Sequence, residues 1–109
     1  MKVKISARHC EVPDIVRTRT EEHVGKLRKF EPRLSGAEVT FEVEKHMKRA
    51  DAILSVDRGE PVIAGAEGQE FREAVDLMVD RLAKILKRRR SHKTEHKGPS
   101  LAKASPLEE

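Results

Sequence analysis

The segment EFREAVDLMVDRLAKILKRRR, residues 70–90, decides the fold. Phe71, Ala74, Val75, Met78, Leu82, Ile85 and Leu86 recur at spacings of three and four, the periodicity of a helix that buries one stripe. This is the helix on which a core is built. Its second half carries another pattern: Arg81, Lys84, Lys87, Arg88, Arg89 and Arg90, followed by Lys93 and Lys97, with Glu95 the only acid among them. One element therefore packs and also presents positive charge.

Working outward, Val3, Ile5 and Ala7 alternate with Lys2, Lys4, Ser6 and Arg8, the period of a strand with one buried face. Pro13 and Asp14 suit the first turn of a helix. Val12, Ile15, Val16, Thr20, Val24, Leu27 and Phe30 continue as its stripe until Pro32, which predicts a helix over 13–30. Ser35-Gly36 reads as a turn. Val39, Phe41 and Val43 form a second strand, 46–49 turns the chain, and Ala50, Ala52, Leu54 and Val56 alternate with Asp51, Ile53, Ser55 and Asp57 in a third. Arg58-Gly59-Glu60 predicts a hairpin with Gly59 at positive φ, leading to an edge strand over 62–67 after Pro61. The order β-α-β-β-β-α predicts a single α+β domain. A β-α-β crossover makes the first two strands parallel, the other strands follow as an antiparallel meander, and both helices cover one face of a four-stranded sheet. The other face carries charges of both signs. Residues 1–97 form the expected domain, and residues 98–109, broken by Gly98-Pro99 and Ser105-Pro106, read as a disordered tail.

Composition bounds the class. With 109 residues, 39% charged, 37% hydrophobic, no Trp or Tyr and three Phe, the chain supports one modest, mostly aliphatic core. No stretch approaches the roughly 18 apolar residues of a membrane span, and the N-terminus lacks the apolar region of a signal peptide. Cys10 is the single cysteine, so an internal disulfide is excluded and a cytoplasmic setting is expected.

The net charge of +4 matters because the basic residues cluster. Arg17, Arg19, Lys26, Arg28 and Lys29 on the first helix, interrupted by Glu21 and Glu22, and the basic run on the last helix would share one surface if the helices lie side by side. Such a surface suits a phosphate backbone. Lysines also solubilise and complement helix dipoles, but a run as dense as 87–90 favours the binding reading. With Phe30, Phe41 and Phe71 all on apolar stripes, the sequence offers no stacking platform, and binding is expected to follow backbone and shape. Asp76 and Asp80 are accounted for by ion pairs with Arg72 and Lys84 at helical spacing. His92 and His96 lack the further ligands of a metal site, and His9-Cys10 lacks a third orienting group. The expectation is no enzyme, no metal, no cofactor and no small-molecule substrate.

The helix ending Val24-Gly25-Lys26-Leu27-Arg28-Lys29-Phe30, and the run Phe71-Arg72-Glu73-Ala74-Val75-Asp76 followed by Asp80-Arg81-Leu82 and a basic end, resemble the ribosome hibernation promoting factor and ribosome-associated inhibitor A family over residues 1–97. The resemblance implies a factor that sits between head and body of the small ribosomal subunit. There it blocks the tRNA and mRNA sites (A and P sites) of idle ribosomes under stress. It also implies a partner in the small subunit or 70S ribosome through 16S-type ribosomal RNA, and a monomer off the ribosome. Lys26, Lys29, Arg81, Lys84 and Arg88 match basic family positions and would contact RNA phosphates. Lys87, Arg89 and Arg90 join them on composition. Three departures stand out: Val12 where the family has a Thr or Ser helix cap, Phe71 where Tyr is usual, and a length that resembles the short forms lacking a dimerisation domain. A general RNA-binding or ribosome-assembly module and a basic domain docking an acidic partner or membrane surface remain the alternatives.

Overall fold

A computed structural model describes residues 1–94, with side chains described through Arg90. Its elements are β1 (Lys2–Arg8), α1 (Asp14–Gly25), a 3-10 turn (Lys26–Lys29), β2 (Leu34–Glu44), β3 (Met47–Val56), β4 (Val62–Gly68) and α2 (Phe71–Thr94). The sheet order is β1-β2-β3-β4, with β1 parallel to β2 and the other neighbours antiparallel. This is the α+β architecture that the alternation of apolar periods predicts. The tail at 98–109, with His96 and Lys97, lies outside the described residues, as do the side chains of His92 and Lys93.

The core lies between one face of the sheet and the helices. Ala50, Ala52 and Leu54 of β3 and Val39 and Phe41 of β2 are fully buried, as are Ala74, Val75, Met78 and Leu82 of α2. Small alanines on β3 let α2 approach, and Phe41 meets Phe71 edge to face at 5.4 Å between ring centroids. The α2 entrance is fixed by Glu73, whose carboxylate accepts from the Gln69 N–H at 2.8 Å. The α1 entrance has no such support: Pro13 is its N-cap and makes no side-chain cap hydrogen bond. Thr20, fully buried on α1, satisfies its hydroxyl by donating to the Val16 carbonyl at 2.7 Å.

Several local expectations are corrected. The α-helix expected over 13–30 ends at Gly25 and tightens into the 3-10 turn. Ile15, expected on its stripe, is 77% exposed, because α1 packs through the narrower row Val12, Val16, Thr20 and Val24. Ser35 and Gly36 belong to β2, where Gly36 stands opposite Lys2 and Ser55 at a register shift from Leu34. Pairing on both sides overrides the turn chemistry of Ser-Gly. The β2–β3 turn is confined to Lys45 and His46, at φ 49° and 70°, so Lys48 and Arg49 lie in β3. At the next turn Arg58, at φ 60°, takes the left-handed conformation expected of Gly59, and Asp57 falls beyond the end of β3.

On the open face the register aligns Arg8 with Glu42, Glu42 with Arg49, and Arg49 with Glu67, a row of alternating sign across all four strands. Arg49 bonds Asp51 at 2.9 Å and reaches Glu67 at 3.5 Å. The Asp51 hydrogen bond, then its charge, raises the Arg49 pKa above its usual value. A Cβ on Gly65 would require the facing Asp51 carboxylate to move aside from Arg49.

Leu82→Ala removes a fully buried side chain from the α2 contact and is expected to cost about 3 kcal/mol in urea unfolding. Gly25 has ordinary helical φ −61° and open space where a Cβ would stand. Gly25→Ala should therefore stabilise the fold by about 0.5–1 kcal/mol, read from the same transition.

Candidate nucleic-acid interface

The change from α to 3-10 geometry shapes the basic surface. A 3-10 turn advances 120° per residue instead of 100°, so its four residues rotate the chain by about 80° more than an α-helix would. Leu27 stays buried, whereas Phe30 turns off the stripe and is half-buried. Lys29 Nζ lies 5.2 Å from the Phe30 ring centroid, and Lys87 Nζ of α2 lies 5.0 Å from it. Both ammoniums are held by the ring quadrupole, and the basic ends of the two helices are tied through one aromatic ring.

Beside this ring, a groove of about 330 Å³ runs between α1 with its 3-10 extension and α2. Leu27, Phe30, Val79 and Ala83 supply its apolar lining. Arg19, His23, Lys26 and Lys29 line the α1 side, and Asp76 and Asp80 the α2 side. Phe41 and Phe71 are buried on the apolar stripes where the sequence puts them, whereas Phe30, half-buried against the core, also lines this groove.

Asp76 is paired differently from the expected Arg72 contact. Arg19 of α1 donates to both of its oxygens, at 3.2 and 3.1 Å, and His23 Nδ1 lies 3.9 Å away. This bidentate bond, ahead of all other influences, raises the Arg19 guanidinium above its usual pKa. The expected pair of Asp80 with Lys84 is present at 3.2 Å, with the Lys84 side chain 69% exposed.

The eight basic residues singled out in the sequence divide into three groups. Lys26, Lys29 and Lys87 gather at the groove and the Phe30 ring. Lys84, Arg88 and Arg90 are exposed on α2. Arg81 and Arg89 are exposed too, but their guanidiniums reach back to the sheet: Arg81 donates to the Gly65 carbonyl, and Arg89 to the Glu60 and Pro61 carbonyls at 2.8 and 3.2 Å. Arg81 and Arg89 hold α2 to the β4 edge. Sequence reasoning missed the groove role of Phe30 and His23; the signal for Phe30 was a ring flanked by Lys29 at the very end of the helical pattern.

Among the described residues no group of three or more His, Cys, Asp or Glu is placed to hold a metal ion. The Cys10 thiol donates to the Phe41 carbonyl at 3.7 Å, the strand-end contact of a structural thiol. No helix among the described residues is long and apolar enough to cross a membrane.

The Arg89 clamp gives a local test. Arg89→Lys cannot reproduce the two-carbonyl contact, and amide exchange at Gly59, Glu60 and Val62 should rise roughly five- to tenfold, the equivalent of one net hydrogen bond. Lys84→Gln should leave exchange there unchanged.

A family model described as "Sigma 54 modulation protein / S30EA ribosomal protein" matches residues 3–94. The ribosome hibernation promoting factor of Azotobacter vinelandii is 30% identical over 107 residues, covering 98% of this chain and 99% of that protein. That of Escherichia coli strain K12 is 30% identical over 96 residues, covering 88% of this chain and 100% of that protein. Among solved structures, the Thermus thermophilus Protein Y N-terminal domain superposes with TM-score 0.73 at 26% identity, covering 81% of this chain and 98% of the other. A ribosomal subunit interface protein from Coxiella burnetii has the same fold, with TM-score 0.78 at 21% identity, covering 84% of this chain and 99% of that one.

Proposed function

This chain belongs to the Sigma 54 modulation protein / S30EA ribosomal protein family, and from that premise we propose that it is a ribosome hibernation factor acting in the cytoplasm. It binds the small ribosomal subunit between head and body and fills the A and P sites, so that tRNA and mRNA are excluded by occupancy alone. The binding unit is residues 1–97. The observation that carries the reading is the joining of two basic helix ends, Lys26 and Lys29 with Lys87, on one rigid surface beside the exposed Lys84 and Arg88. A phosphate backbone is the partner such a surface suits, and no bond needs to be made or broken.

The charge division on α2 refines which residues do what. Lys84 and Arg88, and the lysines about Phe30, contact ribosomal RNA phosphates. Arg81 and Arg89 hold α2 in place by their sheet contacts and add to the positive field, as does Arg90. The opposite face, with its row of compensated charges, stays turned toward solvent.

The test is cosedimentation with small subunits and 70S ribosomes on sucrose gradients, with initiator tRNA as competitor. Comigration that tRNA displaces is the expected result. Binding to free RNA alone would support a general RNA-binding module instead. Lys84→Glu with Arg88→Glu should abolish comigration and leave the thermal midpoint within a few degrees, because both side chains are exposed. Comigration of that double variant at wild-type level would remove the basic-surface mechanism. Affinity of the native protein should fall steeply with salt, on the order of tenfold or more between 50 and 200 mM.

A further inference from the structure

The composition of the groove between α1 and α2 is not what a phosphate backbone requires. Its apolar lining, Leu27, Phe30, Val79 and Ala83, offers nothing to a phosphodiester, and the basic side chains of its α1 side face two carboxylates on its α2 side. A nucleobase needs the reverse: an apolar slot, an aromatic ring, and acceptors facing its N–H edge. We infer that this groove holds one unstacked nucleobase of ribosomal RNA, an amino-bearing base whose edge donates to Asp80 while Lys26, Lys29 and Lys87 take the flanking phosphates. The inference rests on the ribosome-binding reading above and names the ligand chemistry of the same surface.

Size, charge and geometry agree. A volume of about 330 Å³ lies at the small end of ligand pockets, which run from about 300 Å³, room for one nucleotide and not for a helix. The two ammoniums lie over the Phe30 ring, 5.2 and 5.0 Å from its centroid, and a base that takes their place on the ring displaces them toward the phosphates on either side of it. The carboxylates differ in availability. Asp76 has both oxygens engaged by Arg19, whereas Asp80 meets Lys84 through Oδ2, which leaves Oδ1 to accept from a base amino group. Arg19 and Asp76 fix the spacing of the two helices, and Asp80 reads.

The experiment is chemical probing of ribosomal RNA in 70S ribosomes, with base-edge and 2′-hydroxyl reagents, alone and with the native protein or its variants. The native protein should protect the edge of one unpaired amino-bearing nucleotide within its small-subunit footprint. Phe30→Leu should lose that protection while the remaining footprint persists, with affinity roughly tenfold weaker, as for the loss of stacking on one base. Phe30→Tyr should restore it. Ala83→Met fills the groove from the other wall and should abolish the same protection with Phe30 intact. Asp80→Ala, which removes the acceptor, should expose the base edge but leave the flanking backbone protected. A native footprint at every nucleotide with both Phe30→Leu and Ala83→Met would overturn the inference and leave ribosome binding standing. No protection anywhere on small-subunit RNA would overturn the ribosome reading and the inference with it.

Discussion

The parallel pairing of β1 with β2, in register from Lys2 opposite Gly36 to Arg8 opposite Glu42, constrains everything else. Parallel neighbours cannot be joined by a tight turn, so the chain must cross the sheet between them, and α1 with its 3-10 extension is that crossing. Its apolar row can be buried only on the face that α2 also needs. Two helices on one face leave a seam between them, and the seam is the groove. The groove is therefore a product of strand order.

Within that frame the basic residues do different work at similar exposure. Arg81 and Arg89 use planar guanidiniums to engage carbonyls of the β4 edge and the turn before it, groups that would otherwise have water alone as partner. Lys29 and Lys87 make no such contact and rest on an aromatic ring. An ammonium over a ring keeps donors free for an incoming anion, whereas a guanidinium bonded to backbone has spent part of its fork. The choice of Lys at 29 and 87 and of Arg at 81 and 89 follows that difference in chemistry.

The sequence made the architecture legible because each long element has one clear period: three and four for α2, two for β1 and β3. It misled where a local signal met a tertiary demand. Ser35-Gly36 carries turn chemistry, yet strands on both sides claim its backbone. Gly59 is the residue most tolerant of positive φ in its turn, yet Arg58 adopts it. The site was half legible. Charge density at 87–90 made the basic end of α2 legible, but a helical period continued through Phe30 assumes 3.6 residues per turn, and the 3-10 segment breaks that assumption just before Phe30. Asp76 was assigned a neighbour on its own helix because spacing within a helix is visible in sequence and the approach of α1 is not.

The compensated row on the open sheet face has a kinetic consequence. Lys2, Lys4, Arg8 and Arg49 stand there beside Glu38, Glu42, Asp51 and Glu67, so that face contributes little to the field at a distance. Among the described residues the positive excess then lies on the helical side, and the molecule has an electrical direction as well as a charge. Approaching a polyanion, it feels a torque that turns the groove forward before contact, and a larger fraction of collisions begin in a productive orientation. A sheet face whose charges cancel thus helps to give the helical side its electrical direction.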